Sequence, residues 1–313
     1  MAPNIALEPR PSLPSGVPHR ARPFLAMAAA VVAMALAAPL IRLTAAPPLA
    51  VAGWRLTIAS VLLLPAFLRS PWRSEWSAVP GPDRRAAWLA GAALALHFAA
   101  WITAVRLTSV AASGVLVSLS PVFAWGISAV WLRERPAPRQ AGGILLAVAG
   151  AAVIALGDAS GGGGQALLGD ALALIGAAFG GYYFVVGRRL RRTLSLAAYV
   201  TPVYALAAVL LLGWAATRGE AFAPYAPRDW AVFAALAVGP MLVGHTGLNY
   251  ALRYLPAYVV NVAALGEPVG ATLIAWTLPA IAEPPGPAAI AGGGLCLAGI
   301  VLALAGAARP ASR

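Results

Sequence analysis

Residues 86–132 read AAWLAGAALALHFAAWITAVRLTSVAASGVLVSLSPVFAWGISAVWL. Arg106 is the single charged residue in this stretch. A helix on the surface of a soluble protein carries a polar stripe opposite its apolar one; neither 86–105 nor 110–132 has such a stripe. Each run supplies the roughly 20 apolar residues that a helix needs to cross a bilayer core. In hydrocarbon the backbone finds no water, so such a run closes its own hydrogen bonds as a helix. Only Arg106 to Ser109 separate the two runs, which predicts a tight helical hairpin.

The same reading, carried outward, finds ten apolar runs, at about 24–41, 49–68, 86–105, 110–132, 139–157, 167–187, 197–217, 230–252, 256–281 and 286–307. The joints carry turn formers: Pro47-Pro48, Pro80-Gly81-Pro82, Pro136 with Pro138, and Pro284-Pro285-Gly286. Composition agrees. Of 313 residues 61% are hydrophobic and 10% charged, and mean hydropathy is +0.80; a soluble domain carries about 25% charged residues. One cysteine, Cys296, excludes an internal disulfide and a Cys-rich metal site. No HExxH and no nucleotide-binding Gly loop is present, so neither metal nor cofactor is expected.

The chain also repeats itself. At a spacing of 147, Ala104 falls on Ala251, Arg106 on Arg253, Val115 on Val262, and Pro121-Val122 on Pro268-Val269. Further on, Gly143 and Gly150 meet Gly292 and Gly299 at a spacing of 149. Five spans in each copy force the copies into opposite orientations, as in transporters built from inverted repeats. The expected fold is therefore an all-α polytopic membrane protein with ten transmembrane helices in two inverted five-helix repeats. Its parts are a disordered cytoplasmic segment 1–23, a first repeat 24–157, a Gly-rich linker 158–166 around Gly161 to Gly164, a second repeat 167–307 and a cytoplasmic tail 308–313.

The net charge of +12 comes with 22 arginines and no lysine. Arginine clusters between spans rather than forming a nucleic-acid surface. With both termini inside, 17 arginines fall in inner segments and 4 in outer ones, a strong positive-inside bias. Trp72, Trp76, Trp88, Trp131, Trp214 and Trp230 fall near span ends, where an interfacial aromatic belt belongs. Arg20 and Arg22 before the first run, with Ala35-Leu36-Ala37 as a small-x-small site, also fit a signal peptide. Cleavage there would leave nine spans and break the repeat, so the first span is read as retained.

Three stretches carry a family likeness: His97-Phe98-Ala99-Ala100-Trp101 with Leu107 to Ser113; Pro121 to Glu134; and Gly244-His245 through Asn249-Tyr250-Ala251-Leu252-Arg253-Tyr254 to Leu265-Gly266-Glu267-Pro268-Val269. In these the chain resembles the EamA-type transporters of the drug/metabolite transporter superfamily. The resemblance implies ten helices in two EamA repeats and transport of small metabolites, often outward. The sequence departs from the family pattern after the ninth span, where the usual Leu-Gly-Glu is Ile281-Ala282-Glu283 followed by two prolines. A different turn into the tenth helix is expected there.

Polar side chains inside the runs are the candidate site, because a charge at mid-bilayer costs about 2.5–3.5 kcal/mol and persists where it faces a cavity or a partner. Glu267 stands beside Pro268, which breaks the helix at a carboxylate and makes it the coupling candidate. Its counterpart in the first copy is Ser120 before Pro121. His97 with Trp101, and His245 with Asn249, are i, i+4 pairs at nearly equivalent places, one residue out of register. The bland alternative for each histidine is a neutral ring bonded to a backbone carbonyl; for Asn249 it is interhelical glue. Arg55, next to Trp54, is read first as snorkelling to the outer interface and otherwise as a cavity group. Tyr182 and Tyr183 share a face with Phe179 that suits packing before a cage. Asp170 is read as the cap of the sixth span. Gly142-Gly143 and Gly292 to Gly294 are read as close helix packing, with a homodimer contact as the alternative.

The expected activity is secondary transport, outward, of small amphipathic solutes such as amino acids in a bacterial inner membrane, with protons as the candidate coupling ion. The alternatives are a channel or lipid translocator, and a membrane-embedded lipid-modifying enzyme, for which no acidic or histidine cluster at a bilayer surface is found. The arginine bias predicts that reporter fusions at both ends read cytoplasmic; an external carboxy terminus, or a mature chain beginning near Ala38, would refute the arrangement.

Overall fold

Proline starts most of the helices. It fits the first helical turn, where its missing N–H has no intrahelical partner in any case. The computed structural model describes residues 21–108, 110–127, 137–158, 164–222, 224–282, 284 and 287–307. In chain order the helices are α1 (Arg22–Ala35), α2 (Ala37–Arg42), α3 (Pro48–Arg69), α4 (Trp72–Ser77), α5 (Gly81–Leu107), α6 (Val110–Val117), α7 (Ser120–Ile127), α8 (Pro138–Asp158), α9 (Gly164–Leu190), α10 (Leu196–Thr217) and α11 (Pro227–Leu236). A π-helical segment (Ala237–His245) runs on into α12 (Thr246–Ala251), followed by α13 (Ala257–Ala264), α14 (Gly266–Thr277) and α15 (Pro287–Ala307). No strand occurs among the described residues. Most of the described residues in the apolar runs are helical.

Six helical stretches are long and apolar enough to cross a bilayer: Arg22–Arg42, Pro48–Arg69, Gly81–Leu107, Leu167–Leu190, Leu196–Thr217 and Pro227–Ala251. Shorter apolar helices cover Val110–Ala124, Val262–Thr277 and Ile290–Ala303. The chain is an all-helical, multi-pass membrane protein.

Several details differ from the sequence reading. The short helix α4 is amphipathic rather than apolar, so hydropathy passes it over. It is pinned by Trp76, whose Nε1 donates to the Ala198 carbonyl at 2.9 Å, and by Glu75, whose Oε2 accepts from the Ser195 N–H at 2.9 Å. The helix α9 begins at Gly164, so the linker expected over 158–166 is shortened from both sides; 159–163, with most of the glycine run, lie outside the described residues. Asp170 is consequently inside α9 and is not its cap, because Gln165, Ala166, Leu167 and Leu168 are good helix formers and extend the start. Residues 1–20 and 308–313, Trp131 and Glu283 lie outside the described residues.

Besides the break at Leu36 between α1 and α2, three helices are interrupted in mid-course, each at a proline. Pro121 has no N–H for the Val117 carbonyl, and the Ser120 hydroxyl donates to that oxygen instead, at 2.7 Å. The break between α6 and α7 falls at Ser118-Leu119, and that between α13 and α14 at Leu265, just before Glu267-Pro268. Ser118 and Leu265 are 147 apart, the repeat spacing. The third interruption is the π segment, which contains Pro240.

The helices α8 and α15 meet backbone to backbone. A methyl group on Gly143 would lie 2.8 Å from the Gly299 carbonyl oxygen, and one on Gly150 would lie 2.6 Å from that of Gly292. The Cys296 thiol donates to the Ala147 carbonyl at 3.3 Å between them. Contact positions rise along one helix as they fall along the other, so the pair is antiparallel. Gly143 corresponds to Gly292 and Gly150 to Gly299, so exchanging the copies turns each contact into the other. That is local two-fold symmetry about this seam.

Arginine-rich ends gather on one side of the bundle. There Arg189 pairs with Asp83 at 2.8 Å, Arg188 donates to the Leu252 carbonyl at 2.9 Å, and Arg191 Nε donates to the Asn249 carbonyl at 3.2 Å. Burial, and then the neighbouring Arg253, pull the Arg191 pKa down to about 10. At the opposite end Arg106 donates to the Thr44 and Ala46 carbonyls at 2.7 and 3.0 Å, Arg42 donates to the Thr108 carbonyl at 2.8 Å, and Thr44 bonds Asp229 at 2.5 Å.

The turn before α15 holds Ala282 at φ +52°, the left-handed region, at the position where the family pattern has glycine. Ala282→Gly should therefore stabilise the protein by about 1 kcal/mol, read as a raised Tm in detergent; an unchanged or lowered Tm contradicts the strain. At the seam, Gly299→Ala should cost about 1–3 kcal/mol, because the methyl group meets the Ala147 nitrogen at 2.5 Å. Gly142→Ala, which meets nothing within 4 Å, should leave Tm unchanged.

Candidate functional site

The interruptions converge. Ser118 and Ser120 at the first break, Ala264 and Glu267 at the second, and Pro240 and His245 of the π segment line one central cavity of about 40 Å³. Arg55 from α3, His97 and Trp101 from α5, and Phe184 from α9 complete the polar and aromatic part of the wall. A water needs some 10–15 Å³, so the cavity as it stands holds a few waters at most.

His97 is 8% exposed, and its Nδ1 lies 2.8 Å from the Gly176 carbonyl oxygen of α9. A carbonyl only accepts, so Nδ1 carries a proton and, in the neutral ring, Nε2 is the free acceptor. Glycine makes this contact possible: a methyl group on Gly180 would lie 2.9 Å from Nδ1. One nitrogen thus anchors the ring to α9 while the ring lines the cavity. Trp101 stacks on His97 with centroids 6.4 Å apart, and its buried Nε1 has no hydrogen-bond partner.

The His245 ring lies 6.2 Å from His97, 5.1 Å from Phe98 and 6.0 Å from Phe184, and its Nδ1 is buried without a partner. Phe98 and His245 are separated by 147, the repeat spacing. Equivalent positions of the two copies therefore touch, and the positional counterpart of His245 is Phe98, not His97.

Arg55 does not snorkel. It is fully buried, lines the cavity and lies over the Phe98 ring at 4.1 Å. Its neighbour Trp54 turns the other way; its Nε1 donates to the Ala221 carbonyl at 2.9 Å and its ring meets Trp230 at 4.9 Å. Successive helical residues point about 100° apart, so Trp54 packs against Ala221 and Trp230 while Arg55 faces the cavity.

Asn249, Tyr182 and Tyr183 are not in the cavity wall. Asn249 is fully buried beside it; its Nδ2 donates to the Tyr183 hydroxyl at 2.5 Å and to the His245 carbonyl at 2.7 Å. Tyr204 and Thr246 continue this polar cluster with a bond of 3.2 Å between their hydroxyls. Tyr182 is half-buried and packs against the core. The structure thus brings His97, Trp101, His245, Glu267 and Arg55 together and puts Asn249 and Tyr183 behind them. Sequence reasoning passed over Phe98, Ser118 and Phe184. The signal for Phe98 was present, in its spacing from His245. No group of three metal-binding side chains occurs among the described residues.

The arrangement is a small, mostly apolar chamber between two structural copies, holding one acid, one guanidinium and two imidazoles. Comparisons with known proteins agree with that picture. The model of the EamA-like transporter family matches residues 22–156 and again 167–305. A protein of Streptantibioticus cattleyicolor described as a "Probable terminal-alkyne amino-acid exporter" is 31% identical over 193 residues, which are 61% of this chain and 62% of that protein. The match thus spans less than two thirds of the relative's length. A solved crystal structure has a TM-score of 0.71 to this one at 21% identity, covering 93% of this chain and 100% of the other. At that identity the likeness concerns the fold alone.

Proposed function

The chain belongs to the EamA-like transporter family, and on that premise we propose that it exports small amphipathic amino acids or similar solutes by alternating access to the central cavity. The observation that carries the reading is the convergence of the helix interruptions on one chamber holding Glu267, Arg55, His97 and His245. Helices broken at mid-membrane beside ionisable groups are how many carriers build a solute and ion site. The substrate class takes support from the relative's description as an amino-acid exporter.

Ten spans in two inverted copies, 24–157 and 167–307, are the architecture we propose. The antiparallel α8–α15 seam, with contacts exchanged by the repeat, supports it. In this arrangement the copies rock about the seam, and the arginine-rich end faces the cytoplasm of a bacterium, with both termini inside. The cavity, at about 40 Å³, is too small for such a solute as it stands, so it must widen during the cycle. A channel would need a continuous wet path, which a chamber of this size does not offer. A lipid-modifying enzyme would need its reactive groups at a bilayer surface rather than in the middle of the bundle.

Glu267 carries the coupling proton in this reading. Arg55, His97 and His245 are the charged or titratable groups that face it across the cavity. Glu267→Gln keeps the shape and most of the hydrogen bonding but cannot ionise. In proteoliposomes the variant should retain counterflow exchange yet lose its acceleration by a pH gradient. Wild-type stimulation by the gradient in Glu267→Gln removes this residue from coupling; failure of the wild type to show saturable counterflow rejects a carrier altogether.

A further inference from the structure

The arginines that tie the bundle together spend their donors on backbone oxygens. Arg42, Arg106, Arg188 and Arg191 each donate to main-chain carbonyls at the helix ends. Arg55 does not. Its Nε, Nη1 and Nη2 are all buried, and none has a hydrogen-bond partner. The side chain is 0% exposed and lines the cavity. Its guanidinium lies over the face of Phe98, at 4.1 Å, which steadies a cation without using its N–H groups. Glu267 lines the same cavity but accepts no hydrogen bond from Arg55. A planar fork of five donors is left on the wall of the cavity, with the Glu267 carboxyl group on the same wall.

We infer that Arg55 is the anchor for a carboxylate on the transported solute. The guanidinium fork matches a carboxylate with two parallel N–H···O bonds. The rings of Trp101, Phe184, His97 and His245 give the remainder of a short solute a largely apolar wall. Glu267 is then the partner for an ammonium group on the same molecule, so an α-amino acid spends both charges within the chamber. The anchor deepens the exporter reading and rests on it for the idea that a solute enters here. It makes a separate demand: the solute must be an acid, whichever acid it is.

The test uses the full chain in lipid nanodiscs, with Ser118→Cys as a reporter on the cavity wall in a Cys296→Ala background. Two thiol reagents of similar size are compared, the anionic sulfonatoethyl and the cationic trimethylammonioethyl methanethiosulfonates. With Arg55 present the anionic reagent should react about tenfold faster, after correction for the rates with free thiol, because one nearby charge acts strongly in a poorly solvated site. Arg55→Lys should keep this preference. Arg55→Gln should abolish or invert it, leaving Glu267 to dominate.

Protection of the cysteine is then measured with L-propargylglycine, its carboxamide and 4-pentynoate. The two acids should protect and the amide should not; Arg55→Lys should weaken protection, since an ammonium lacks the fork. Because the acid-against-amide comparison is made with Arg55 in place, it decides the matter even if the variants do not fold. The proposal is overturned if the reagents react alike with Arg55 present, if neither reacts, if the amide protects as well as the acids, or if no compound protects. Protection by 4-pentynoate but not by propargylglycine keeps the anchor and rejects the amino-acid reading of the function.

Discussion

A peptide carbonyl left without a donor in hydrocarbon costs several kcal/mol, and the architecture of this protein follows from where it accepts that risk. Long stretches of α3, α5, α9 and α10 run without a break. Three of the interruptions occur at Pro121, Pro240 and Pro268, where the missing N–H removes a helix hydrogen bond, while Pro65 and Pro202 are carried within α3 and α10. At Pro121 the repair is explicit, because the Ser120 hydroxyl takes over the Val117 oxygen. All three open onto one chamber, so the places where the backbone is least satisfied are the places where the wall is polar. The cavity is a consequence of the prolines before it is a collection of ionisable groups.

Around that chamber the two copies are alike in backbone and unlike in chemistry. The breaks lie one repeat spacing apart, yet one presents Ser120 and the other Glu267. Phe98 and His245 occupy equivalent positions and touch at 5.1 Å, one apolar and the other titratable. His97 corresponds to Gly244, where the first copy's Met34 crowds in so closely that a methyl group would lie 2.6 Å from its Cγ. The duplication thus supplies the scaffold, and the substitutions since have divided the labour between the halves.

Much of the scaffold was legible because membrane helices announce themselves by what they lack. The apolar runs and the short joint at 106–109 rest on the near absence of charge, a signal that survives uncertainty about helix ends. The repeat spacing rests instead on matched residues such as Arg106 with Arg253 and Pro121 with Pro268. Other features had no such signature. The helix α4 is amphipathic and disappears from a hydropathy reading. The π segment has the same composition as an α-helix, so its change of winding at Pro240, and hence the direction in which His245 and Asn249 point, could not be foreseen. Of the two readings open for Arg55, snorkelling or the cavity, Trp54 is no guide, because adjacent helical side chains diverge by about 100°. In each case the missing information was rotational: which residues lie in membrane was readable, and which way they face was not.

The Gly143–Gly299 and Gly150–Gly292 contacts are images of one another, and this bears on the energy of the resting state. If the copies were identical, the rotation that exchanges them would convert an inward-open protein into an outward-open one of equal energy. No preference for either side could then arise from the shared scaffold. Any bias must come from positions that do not match, such as Ser120 against Glu267, Phe98 against His245, and the uneven arginine tally of the two faces. A mismatch of only about 1.4 kcal/mol is enough to favour one orientation tenfold. Under the proposed alternating access, similarity between the halves balances the two orientations, and the residues that spoil the similarity decide where the molecule waits.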